Sequence, residues 1–159
     1  MNRTCGGLAA AFLALAIPAY AGPNPADGKA VEACLTAATE KGTSLTACIG
    51  IVADPCIAVA GKTNSYIEDS KACAARELAV WTARMQRALK DSSRGGGKET
   101  TAAVASAQKT WSDSVTRLCP LFDNLDPGAS LGGGAYCRLH HTAIRVLALE
   151  RLAHAINPH

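Results

Sequence analysis

Apolar and small residues recur along this chain at intervals of three and four, and no long stretch alternates apolar with polar positions. That period belongs to helices with one buried face, so the chain is predicted to be all-α. The strongest run opens at Ser65-Tyr66-Ile67-Glu68, whose S-x-x-E spacing predicts a capping box, and continues to about Ser92. Within it Ala74, Leu78, Trp81, Met85 and Ala88 share one face. After the break "SSRGGGK", a second helix carries Val104, Gln108, Trp111, Val115 and Leu118 at similar spacings, and Pro120 marks its end. A glycine-bearing loop, "PLFDNLDPGASLGGG", leads to a third helix from about Ala135 to Ile156, with Leu139, Ala143, Val146, Leu149 and Ala153 along one side.

Between Asp27 and Ile57 the pattern is shorter and richer in cysteine. Asp27 is expected to cap one helix, Gly42 to end it, and Ser44 to open a second that Asp54-Pro55 either bends or replaces with a new one. The predicted fold is a small helical bundle of three long helices, which bury their apolar stripes against one another, plus a short disulfide-stapled helical pair at the amino end.

The first residues change where this bundle is expected to work. Arg3, an apolar run from Leu8 to Ile17, and the small-x-small sequence Ala19-Tyr20-Ala21 read as a secretory signal peptide, residues 1–21, cut after Ala21. Residues 22–159 then form one domain, expected in the periplasm or secreted. No stretch reaches the roughly 20 apolar residues of a membrane helix, so no membrane insertion is expected. Loss of Arg3 takes the formal charge from +3 to +2, with basic and acidic residues interspersed. So small a charge gives no case for binding nucleic acid.

Cysteine is the residue that most invites chemistry. Cys5 leaves with the leader, and an even set remains: Cys34, Cys48, Cys56, Cys73, Cys119 and Cys137. In a small exported chain such a set reads as three disulfides. The run Cys137-Arg138-Leu139-His140-His141 comes within one substitution of a c-type haem attachment signature, but His140 stands where the second thioether cysteine is required. Cys119 is the alternative partner for Cys137, and closing a loop of that size contributes about 3 kcal/mol in the chain-entropy picture. No paired short-range ligands suit zinc, and adjacent His140 and His141 diverge by about 100° on a helix. No metal or cofactor is therefore expected. "SRGGGKET" departs from the phosphate-loop spacing at Ser92 and Glu99, and no nucleophile elbow or signature carboxylate pair argues for an enzyme.

The segment "ASAQKTWSDSVTRLC", the glycine-rich loop, and "CRLHHTAIRVLALERL" together resemble the bacterial lysozyme inhibitor LprI-like family. The likeness is carried by Ala-Gln-x-x-Trp, a cysteine eight residues after the Trp, the next cysteine, and Thr-x-x-Arg. Gln108, Trp111 and Arg145 are the motif positions. Upstream, "DPCIAVAGKTNSYIEDSKACAARELAVWTARMQ" resembles the extended amino-terminal part of proteobacterial members, where cysteines precede a Glu-Leu-x-x-Trp-x-x-x-Met/Leu helix. The resemblance implies an all-helical, disulfide-stapled periplasmic domain, associated in some members with inhibition of lysozymes. Members commonly carry Arg-Asp four and five residues after the Trp, where this chain has Val115-Thr116.

Two roles follow as expectations. One is a non-enzymatic inhibitor that binds a lysozyme and occludes its cleft. The other is a structural or interaction module of the cell envelope without lysozyme contact. Lysozyme works through carboxylates, so a basic or polar loop is the expected contact, either "SSRGGGK", with Arg94 and Lys98 as its cations, or "DPGASLGGGAY". For the cysteines, Cys48 and Cys56 on one helix would lie about 12 Å apart. Neighbour pairing then gives Cys34 with Cys48, Cys56 with Cys73, and Cys119 with Cys137.

Overall fold

A computed structural model describes residues 23–125 and 132–157. The signal-peptide reading and the tip of the loop between Cys119 and Cys137 lie outside the described residues. Within them the chain is helical throughout, with five α-helices and two short 3-10 turns and no strand. The helices are α1 (Pro25–Glu40), α2 (Ala53–Ala60), α3 (Tyr66–Gly95), α4 (Gly97–Leu118) and α5 (Gly133–Ile156). The amino-terminal part is richer than an expected helical pair, since a 3-10 turn, Leu45–Cys48, separates α1 from α2.

Local chemistry sets these boundaries. Asn24, not Asp27, caps α1: its side chain accepts from the Ala26 amide at 2.9 Å, and Pro25 supplies the first helical φ. Asp27 sits inside the first turn and is buried, held by the Arg76 guanidinium at 2.7 Å. Gly42 ends the helix as expected, at φ +63°, with Thr43 N–H donating to Ala38 and Gly42 N–H to Thr39. This is a Schellman motif. Gly50, at φ +96°, keeps Cys48 and Cys56 off a common helix.

The bundle core is α5 laid parallel along α3. Gly132 lies beside Ser70 near the start of both helices, and Asn157 donates to the Asp91 carbonyl at their ends. Val31 and Leu35 of α1, Ile57 of α2, Trp81 and Met85 of α3, and Leu139 and Val146 of α5 form its apolar centre. The α4 helix turns back along this pair but buries less: of its predicted stripe only Val115 is buried, Val104, Gln108 and Trp111 are half-buried, and Leu118 is exposed. Val115 packs with Cys119, Cys137, Trp111 and Phe122 in a second, smaller cluster.

Two helix starts are capped from a distance. Neither α2 nor α5 has a capping side chain of its own. Glu77 of α3 instead accepts from the amides of Gly50, Val52 and Ala53, each at 2.8 Å, at the head of α2. At α5 the Asp123 carboxylate accepts from the Gly134 amide at 3.0 Å. A Cβ at Gly134 would stand 2.6 Å from that carboxylate and 2.7 Å from the Cys119 carbonyl, which explains a glycine there. The capping box expected at Ser65 does not form; Ser65 precedes α3 without a side-chain bond to it.

Disulfides join Cys34 to Cys48, Cys56 to Cys73, and Cys119 to Cys137, with Cα separations of 5.7, 5.6 and 5.4 Å. The first ties α1 to the following turn, the second ties α2 to α3, and the third closes the end of α4 onto α5.

Candidate functional site

The motif residues meet where three helices cross. Gln108 of α4 accepts from Arg145 Nε of α5 at 3.1 Å, and its amide nitrogen lies 3.0 Å from the Met85 sulfur of α3. Trp111, one turn on, packs against both apolar clusters and is half-buried, not fully sequestered. The three positions therefore act as joints of the scaffold. Beside them α4 stands away from α5, leaving an open groove of ≈ 570 Å³ floored by Val104, Ala107 and Leu149, with Glu99 and Arg145 on its walls.

Glu77 is the polar group that sequence periodicity passes over. The observed buried stripe of α3 is Ala74, Glu77, Trp81, Met85, Ala88 and Ser92, and Leu78 takes a half-buried place beside it. Glu77 is 0% exposed, and besides three backbone amides its carboxylate accepts from Trp81 Nε1 at 2.9 Å. Every oxygen has two donors, so the buried group is satisfied and its role is structural. Arg84 is a second hub, bonded to Glu32 of α1 and to Glu150 of α5, with its guanidinium 6.0 Å from the Trp81 ring. Partial burial disfavours its charge, but hydrogen bonds and the charges of Glu150 and Glu32 outweigh this and raise its pKa. Across the amino-terminal face, the Tyr136 hydroxyl donates to Asp54 at 2.8 Å, and burial followed by that bond pushes its pKa up to about 12.

The segment expected to be a flexible basic loop is a helical corner. Ser92 through Gly95 belong to α3 and Gly97 through Glu99 to α4, leaving Gly96 alone between them. The local reason is tight packing. A Cβ at Gly95 would fall 2.2 Å from the Asn157 side chain, and Gly97 needs a left-handed φ of +66°. Arg94 and Lys98 are both exposed on this corner, and Arg94 pairs with Asp91 at 3.0 Å. A cavity of ≈ 270 Å³ opens beside it, lined by Asp91, Arg94, Ala153, His154 and Asn157. The second expected contact, "DPGASLGGGAY", is described only from Gly132 onward, where it already forms the start of α5.

Among the described residues one group has the composition of a metal set. The nitrogen of His141 and the sulfurs of Cys119 and Cys137 lie within 4.8 Å of one another. His141 follows Cys137 by four residues and so shares its helix face. The two sulfurs are bonded to each other, which leaves no thiolate to coordinate an ion.

These features define a disulfide-stapled, all-helical scaffold with a polar joint at each helix crossing. Its residues 56–149, more than half of the chain, match the model of the family described as lysozyme inhibitor LprI. The chain belongs to that family. Neither a curated protein nor a solved structure matches it.

Proposed function

We propose that this protein is a periplasmic or secreted inhibitor of lysozyme that works by binding the enzyme and blocking its cleft, with no chemistry of its own. The observation that carries the reading is the family match over residues 56–149, which spans α3, α4, most of α5 and two of the three disulfides. Stapling supports it physically. A rigid binder loses little conformational entropy on association, and three disulfides suit an oxidising compartment. No described helix is long and apolar enough to cross a membrane.

Arg94 and Lys98 are the proposed contacts, as cations on a helical corner and not on a loop. Their positive charge complements a cleft that works through carboxylates. A second reading, an envelope interaction module without lysozyme contact, is favoured by Val115. Where relatives commonly carry Arg, this residue is buried against the Cys119–Cys137 disulfide, and it gives a partner no charge. The test is titration of the oxidised protein into activity assays of several lysozyme classes. Inhibition of at least one class is expected, and inhibition of none would favour the envelope module.

A further inference from the structure

The outward face of α3 carries a row of cations that the fold itself does not use. At 100° per residue, Arg87, Lys90 and Arg94 fall within about 60° of one another and span about 10 Å along the helix. They lie opposite the buried stripe of Trp81, Met85, Ala88 and Ser92. All three are exposed. Arg87 and Lys90 have no ion-pair partner among the described residues, while Arg94 has only the surface pair with Asp91. A pair so exposed is weak and can re-aim its guanidinium at little cost. The row ends at the cavity lined by Asp91, Arg94, His154 and Asn157, which can receive a side chain from a partner.

We infer that this ridge of α3, Arg87 to Arg94 with its terminal cavity, is the surface that docks on the lysozyme cleft; the inference rests on the inhibitor reading above. Charge and spacing both support it. Lys90 and Arg94 are one helical turn, about 6 Å, apart, and the two carboxyl groups of a retaining glycosidase stand about 5–5.5 Å apart. Two long cationic side chains one turn apart can therefore address both carboxyl groups at once, and Arg87 adds a third cation at the cleft's edge. Because the ridge stands on a helix whose opposite face is buried from Ser70 to Ser92, its cations are held in register without the ordering cost of a loop.

The ridge variant Arg87→Glu/Lys90→Glu spares Arg94 and the cavity. A control, Lys29→Glu/Lys62→Glu, changes the net charge equally at two exposed positions away from the ridge. Inhibition constants are measured against a lysozyme that the parent protein inhibits, with circular dichroism melts confirming that each variant folds. The ridge variant is expected to raise the inhibition constant at least about tenfold, and the control less than about twofold. Should glutamates at these positions prevent folding, Arg87→Gln/Lys90→Gln makes the same comparison and is expected to raise the constant about threefold or more. Unchanged inhibition by the ridge variants would overturn the ridge while leaving the inhibitor reading in place. Equal losses in ridge and control variants would also overturn it, since overall charge would then suffice. A parent protein that inhibits no lysozyme overturns the inhibitor reading itself, and the ridge with it.

Discussion

Replacing Glu77 by alanine removes one side chain but strands four donors. The amides of Gly50, Val52 and Ala53 and the indole N–H of Trp81 all lie 2.8–2.9 Å from its carboxylate. Each buried donor left without an acceptor costs about 1–3 kcal/mol. The four together therefore cost at least about 4 kcal/mol, the low end applying if water enters the vacated space. Against a total stability on the order of 5–15 kcal/mol for a domain, that loss is large. The glutamine variant sharpens the argument. Gly50 and Trp81 share one carboxylate oxygen, and Val52 and Ala53 share the other. Whichever way the substituted side-chain amide sits, two donors face an NH2 group, so Glu77→Gln should lose about half as much as Glu77→Ala. Urea unfolding without reductant, followed by tryptophan fluorescence and far-ultraviolet circular dichroism, reads both. At an m-value of about 1–3 kcal/mol/M the alanine variant's midpoint falls by roughly 2 M. A loss below about 1 kcal/mol for alanine, or a glutamine variant as stable as the parent, would refute the remote-cap account.

Three further outcomes are expected. Removing the Cys119–Cys137 bond by a double alanine substitution should lower stability by about 3 kcal/mol, read by urea unfolding, because it frees the end of α4 from α5 across a separation of 18 residues. Tyr136 should ionise near pH 12, above the ordinary 10, in an ultraviolet titration assigned by difference from Tyr136→Phe. Because its folded pKa is the higher one, its contribution is present below pH 10 and is lost as pH rises from about 10 to 12. Arg94→Ala/Lys98→Ala should weaken inhibition at least about tenfold, or 1.4 kcal/mol, with a thermal midpoint close to the parent's because both side chains are exposed, and added salt should weaken inhibition by the parent protein.

Periodicity makes α3 and α5 readable, since a helix with a packed face repeats its apolar residues whatever it packs against. It favours Leu78 where the fold buries Glu77, because a ranking by apolarity has no way to reward a carboxylate that will meet three backbone amides from another segment and the Trp81 indole one turn on. The signal is present all the same: Glu77 lies in phase with Ala74 and Trp81. Periodicity also overstates the reach of α4, whose stripe covers only part of the α3–α5 pair and leaves Leu118 in solvent. The corner at Gly95–Gly97 reads as a loop because three glycines oppose helix formation locally. Close approach of Asn157 at Gly95, of the Thr100 side chain at Gly96, and a left-handed φ at Gly97 account for those glycines while helix continues on either side. Sequential disulfide pairing follows from spacing even though its premise, one helix through Cys48 and Cys56, fails at Gly50. Ties such as Asp27 to Arg76, 49 residues apart, carry no local pattern and become visible only in the folded chain.

Steady-state kinetics of an inhibited lysozyme at rising concentrations of the oxidised protein test the central claim most directly. Occlusion of the cleft predicts a rising apparent KM with kcat unchanged, since bound inhibitor and substrate exclude each other. A kcat that falls while KM stays fixed would contradict occlusion, and kinetics unaffected by the protein in every lysozyme class would contradict inhibition altogether.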